Sequence, residues 1–313
     1  MIRLFLMNRV GVLFLLPFVV ALFQYLHWIS GNMSSGVADF GFWGEFQISQ
    51  PISYILSSIF LVINAVTLNY VYNSYEFLDR NSYLTSLLYI VAMSFYDAFY
   101  QFNYVICIHF LFCIMLVQFF EIRRQPDARK YWFNAFLFIG IASTLQPLLL
   151  FFYPFFIISI LIFRTFSVRE FIFSFLGFLI PFFYCFTYLW WFNIEQKIAF
   201  DRFTFESNFK DLLWVLLAYF VMIVVSYLNI RLRSQKFSVR LKKQILALWL
   251  YVLIGLVIGI MNYFWRNELN DFSLTILFLT CLLTYSFLHK TYGLLASGVL
   301  YFCLVYSMLK FFI

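Results

Sequence analysis

Residues 212–265 read LLWVLLAYFVMIVVSYLNI-RLRSQKFSVRLKK-QILALWLYVLIGLVIGIMNYFW, two apolar runs on either side of a hydrophilic connector. Each run has the length of roughly 20 residues that a helix needs to cross a hydrocarbon core. The connector carries Arg231, Arg233, Lys236, Arg240, Lys242 and Lys243 and no acid. Such a run between two spans marks a cytoplasmic loop, because Lys and Arg counts in short loops set orientation.

The same alternation extends along the chain. Apolar segments fall at 10–30, 51–72, 83–96, 104–120, 131–145, 148–163, 171–192, 212–230, 244–265, 272–288 and 291–309. About eleven spans are expected, within a range of ten to twelve. Of the 21 Lys and Arg residues, only Lys197, Arg202, Lys210, Arg266 and Lys310 fall in one set of gaps. The rest, including Arg123, Arg124, Arg129 and Lys130, fall in the other. The expectation is an all-α polytopic bundle with its N-terminus inside and its C-terminus outside.

Composition points the same way. The 313 residues are 64% hydrophobic and 11% charged. A soluble domain carries roughly 25% charged residues, and surface scaling leaves no way to hide this much apolar area from water. One membrane domain over 1–313 and no soluble domain is expected. The net charge of +7 is assigned to orientation and anionic lipid at the cytoplasmic face rather than to nucleic acid. Arg231, Arg233 and Lys236 are expected headgroup contacts, at about 1 kcal/mol per basic residue near anionic lipid. Cys107, Cys113, Cys185, Cys281 and Cys303 all sit in apolar segments without metal-ligand spacing, so neither a metal nor a cofactor is expected.

Candidate chemistry collects in the outer gaps. The first, GNMSSGVADFGFWGEFQISQ (31–50), places Asp39 and Glu45 among Phe40, Phe42, Trp43 and Phe46. A carboxylate beside apolar rings at a membrane surface is partly desolvated, which suits it to acid–base work. Asp97 lies in the next outer turn, SFYDAFYQFN (94–103). In the long gap 193–210, Lys197, Arg202 and Lys210 are candidate ligands of a lipid phosphate. Gln24, His27, Asn64, Asn69, His109, Gln118 and Asn134 lie within spans, where polar side chains bond to neighbouring helices. Pro17, Pro154 and Pro181 also fall inside spans, where they tend to kink a helix.

Two resemblances follow from this arrangement. A first span, an outer loop with acids, a group of short spans and a basic inner loop, over residues 1–190, resembles the GT-C class of polytopic glycosyltransferases. That resemblance implies a catalytic base at Asp39, a second acid at Glu45 or Asp97, and a lipid-linked sugar donor. The chain departs from the class in its short first loop, in the separation of Asp39 from Glu45 and in having no soluble outer domain. The segment 81–145 is also similar to a bacterial family of uncharacterised polytopic inner-membrane proteins. Three functions are carried forward: a subunit or accessory of a cell-envelope process with a membrane-protein partner, a GT-C-like transferase, and a transporter.

Overall fold

The computed structural model describes residues 2–6, 10–30, 37–78, 80–122, 127–164, 167–193, 209–288 and 292–310. Its helices are α1 (Ile2–Leu6), α2 (Leu15–Ile29), α3 (Gln50–Ser74), α4 (Leu84–Met93), α5 (Tyr104–Glu121), α6 (Arg129–Leu145), α7 (Tyr153–Leu161), α8 (Val168–Trp191), α9 (Phe209–Arg233), α10 (Val239–Arg266), α11 (Ser273–Leu283) and α12 (Tyr292–Leu309). A two-stranded antiparallel hairpin, β1 (Val37–Asp39) and β2 (Glu45–Gln47), stands between α2 and α3.

Among the described residues, seven helical segments are long and apolar enough to cross a membrane: Val10–Ile29, Gln50–Ser74, Tyr104–Glu121, Val168–Trp191, Leu212–Lys236, Val239–Arg266 and Asn270–Leu288. This is fewer than the expected eleven. Leu84–Met93, Pro147–Leu161 and Ala296–Leu309 are apolar but shorter, and α6 has 17 residues. The shortening has local causes. After α6 the backbone becomes extended at Gln146 (φ −129°, ψ 100°), and Pro147 opens a 3-10 turn to Phe152. The chain reverses there, bringing Phe136 of α6 edge-on to Tyr153 of α7 at 5.3 Å between ring centres.

The helix boundaries follow from side-chain chemistry. Asn103 caps α5 by accepting from the Ile106 amide, and Ser238 caps α10 by accepting from the Leu241 amide. Asn267 ends α10 in the left-handed conformation (φ 55°), a role in which asparagine is second only to glycine. Pro154 opens α7. Pro17 stands where the 3-10 turns of Val10–Phe14 become α-helix, as expected of a ring that removes a backbone donor and crowds the preceding turn. Among the described prolines, only Pro181 lies well inside a helix.

α11 is the innermost helix; Ser273 to Leu282 are all buried. It packs closely on α10 because Gly255 faces Thr275 and Gly259 faces the Phe272 ring. A Cβ at either glycine would come within 3 Å of those atoms. α6 and α8 approach in the same way. A Cβ on Gly140 would lie 2.6 Å from the Phe178 carbonyl oxygen, and one on Gly177 would lie 2.4 Å from that of Phe133. Small residues at such crossings bring membrane helices into close contact. The outward faces of α8 and α9 are apolar, with Phe183, Trp190, Trp191, Trp214 and Phe220 all exposed.

The polar residues within spans face the interior. Gln24 donates to Ser57 and to the Phe99 carbonyl, and Asn64 donates to the Ile106 carbonyl. His109 is wholly buried, with Nδ1 2.7 Å from the Tyr89 hydroxyl. Asn134 meets Gln118 at 3.5 Å.

Candidate functional site at the acidic end of the bundle

Bonds between helix ends sort the bundle into two poles. At one pole the Tyr83 amide donates to the Phe5 carbonyl, the Tyr285 hydroxyl donates to the Phe77 carbonyl, and Arg240 lies 3.8 Å from Glu76. At the other, the hairpin, the turn 94–103, the ends of α6, α10 and α12 and the starts of α5 and α11 meet. This second pole holds Asp39, Glu45, Asp97, Glu268 and Asp271.

The hairpin segment 37–49 folds back onto the bundle. Gly41 has φ +62°, and a Cβ there would lie 2.2 Å from the Leu145 carbonyl oxygen. Only glycine lets the loop sit on the end of α6. Trp43 Nε1 donates to Thr144 Oγ1 at 3.1 Å. Phe42 packs edge-on against Phe182 and Phe186 of α8. The hairpin register pairs Asp39 directly with Glu45. Opposite residues in antiparallel strands share a face, and two like charges there repel. Arg266 at the end of α10 offsets this, since its Nη1 lies 2.5 Å from Asp39 Oδ2. Asp39 Oδ1 also accepts from the Gly41 amide at 2.9 Å.

Behind the hairpin the connector from α10 to α11 is tight. Asp271 is completely buried. Its Oδ1 accepts from the Tyr104 hydroxyl at 2.7 Å, and its Oδ2 accepts from Gln146 Nε2. Glu268 lies on the same connector, three residues before Asp271. Burial raises its pKa above the ordinary glutamate value, the Arg266 charge opposes that shift, and the charges of Asp39 and Asp97 add to it. Asp97 itself is exposed, in a 3-10 turn (Asp97–Phe99) held by the Asn270 side chain, whose Oδ1 accepts from the Ala98 amide at 3.4 Å.

A cation completes this pole from α12. Lys310 Nζ donates to the Ser94 carbonyl at 2.7 Å and lies 4.9 Å from the centre of the Tyr100 ring. His27 stacks on the same ring at 4.4 Å and bonds to the Tyr54 hydroxyl at 2.6 Å. Burial pulls the Lys310 amine down to about 8, and Asp97 partly restores it.

The expected site residues are distributed as follows. Asp39, Glu45 and Asp97 share the acidic pole, and the first two are brought face to face. Lys210 is exposed in the first turn of α9. Lys197 and Arg202 lie outside the described residues. Arg231 and Lys236 are exposed at the opposite pole, whereas Arg233 donates to the Leu288 carbonyl at 2.8 Å and so tethers α9 to the 3-10 turns (Thr284–Leu288) that follow α11. No group of three metal-ligating side chains occurs among the described residues. Sequence reading missed Arg266, Glu268, Asp271, Gln146 and Lys310 as site residues. The one local signal was the run RNELND (266–271), whose charged and turn-forming residues sit in a gap too short to be a solvated loop.

Fold and site together define a multi-pass all-α membrane protein with a polar pole built from distant segments. No protein-family model, curated protein or solved structure matches the chain.

Proposed function

We propose that the chain is a multi-pass protein of a bacterial inner membrane that serves a cell-envelope process as a subunit or accessory, acting through its acidic pole. The observation that carries this reading is the convergence of Asp39, Asp97, Arg266, Glu268, Asp271 and Lys310 from four separate parts of the sequence. Ionisable groups at the edge of the hydrocarbon are costly to hold, and a purely structural end could be closed with neutral caps.

The proposed topology has about eleven crossings, α2 to α12, with the shorter helices completed by their flanking turns. Phe5 belongs to the pole of Tyr83 and Lys310 to the pole of Ser94, which supports an odd number of crossings. Arg80, Arg129, Lys130, Arg164, Arg169, Arg231, Lys236, Lys242 and Lys243 favour placing the first pole in the cytoplasm, against anionic lipid. The acidic pole then faces outward, where a membrane-protein partner or a lipid-linked sugar would meet it. In a strain lacking the protein, Arg266→Met should fail to restore envelope integrity at normal membrane abundance, while Arg231→Gln should restore it. Full restoration by Arg266→Met would end this reading.

A second reading, glycosyl transfer from a lipid-linked donor, is favoured by the face-to-face carboxylates of Asp39 and Glu45. Asp39 would be the base and Arg266 the cation that holds a donor phosphate, with Glu45 or Asp97 as second acid. Asp39→Asn should then abolish transfer in an envelope-glycan assay without loss of folded protein, and a fully active variant would exclude the reading.

A further inference from the structure

We propose that Asp271 and Asn262 form a binding site for a single monovalent cation, with sodium as the fitting ion, where α10 turns into α11. Asp271 is wholly buried, and its two bonded partners, Tyr104 and Gln146, are neutral. No Lys, Arg or His pairs with it among the described residues, and Arg266 is committed to Asp39. A buried carboxylate without a compensating charge is strongly disfavoured.

An independent observation lies on the facing helix. Asn262 is 1% exposed, and neither its Oδ1 nor its Nδ2 has a hydrogen-bond partner among the described residues. Native interiors rarely leave a buried amide unpaired on both sides. Its direction follows from helical geometry. Gly255 and Gly259 of α10 face Thr275 and Phe272. Asn262 is seven residues beyond Gly255 and three beyond Gly259, so it lies on the same face one turn higher. There it looks onto the 3-10 turn Asn270–Phe272 that carries Asp271.

The donor set selects the ion. A carboxylate, an amide carbonyl and the Tyr104 hydroxyl are hard oxygen ligands, suited to hard cations rather than to zinc or copper. One carboxylate balances one positive charge. A divalent ion would leave net charge buried. The acids above the site, Asp39, Glu45, Asp97 and Glu268, would raise the local concentration of cations at its mouth. Neither reading of function above is needed for this site.

Thermal unfolding of the purified full-length protein in lipid nanodiscs tests it, with sodium chloride exchanged for choline chloride at constant ionic strength and pH. Sodium should raise Tm saturably, as expected of an ion that binds only the folded state. The rise should vanish in Asp271→Asn, which keeps an acceptor for Tyr104, and in Asn262→Leu. Three results would each overturn the site: no response to sodium, an equal response to choline, or a response to sodium retained in both variants. If the variants fail to fold, calorimetric titration of the unaltered protein with sodium decides. Saturation at one ion per chain supports the site, and absence of binding heat overturns it.

Discussion

Arg266, the last residue of α10, holds Asp39 of the hairpin between α2 and α3 through a 2.5 Å contact across 227 positions of sequence. It ties an otherwise short loop to the helix hairpin that carries Glu268 and Asp271. It also relieves the repulsion between Asp39 and its cross-strand partner Glu45. Both side chains are about one-third exposed, so the pair belongs to the partly solvated class, worth roughly 1 kcal/mol or less. A double-mutant cycle with Arg266→Met and Asp39→Asn should return a coupling of that size. Limited proteolysis should show the hairpin cut faster in either variant. A coupling of zero and unchanged cleavage would mean that the contact does not position the loop.

Glu268 should make stability depend on pH. Its carboxyl titrates above the ordinary glutamate value in the folded protein, so the native state binds more protons than the unfolded one between those two values. Stability therefore falls as pH rises through that window. Glu268→Gln should be more stable than the parent at neutral pH, and the difference should disappear below the ordinary glutamate range. Melting curves from pH 4 to 8 would show it. A variant less stable at pH 7 would reverse the sign and refute the burial argument.

Lys310 should titrate near 8, held up by Asp97 and pulled down by burial. The rate of amine modification at Lys310, followed by peptide mass spectrometry, should have its midpoint there. In Asp97→Asn the midpoint should move lower, since one stabilising charge is lost. An unchanged midpoint would show that the turn 94–103 does not act on the end of α12.

The α6–α8 crossing should tolerate no side chain. Gly177→Val places carbon against the Phe133 carbonyl, 2.4 Å from an ideal Cβ. Overpacking of this kind costs about 1–3 kcal/mol or more. The folded fraction after detergent extraction should fall sharply. Gly11→Ala and Gly298→Ala, where nothing lies within 4 Å of an added Cβ, should extract like the parent.

The all-α, apolar-helix class was legible in the sequence because it is written in local composition. Apolar runs alternate with loops such as 231–243, whose charges need no partner to be read. Asp39, Glu45 and Asp97 stand out in the sequence, because acids are rare in gaps dominated by aromatics. What completes their site was not visible. Arg266 and Lys310 read as two unremarkable cations, and the bond from Gln146 to Asp271 spans 125 positions. The shortness of α4 and α7 was partly legible in their short apolar runs. A proline alone does not separate a kink from a hairpin, so the sequence does not announce the reversal at Gln146-Pro147. The role of Gly41 depends on a close approach to the end of α6, which no local pattern encodes.

The central claim is that the acidic pole faces outward and the basic pole faces the cytoplasm. Single cysteines placed at Glu45, exposed on β2, and at Ser234, in the 3-10 turn after α9, test it in intact cells with a membrane-impermeant thiol reagent, on a background with the five native cysteines replaced by serine or alanine. Labelling at position 45 in intact cells, and at position 234 only after the membrane is opened, is the predicted result. Labelling at 234 but not at 45 in intact cells would contradict the orientation and, with it, the outward working face proposed for Asp39, Arg266 and Glu268.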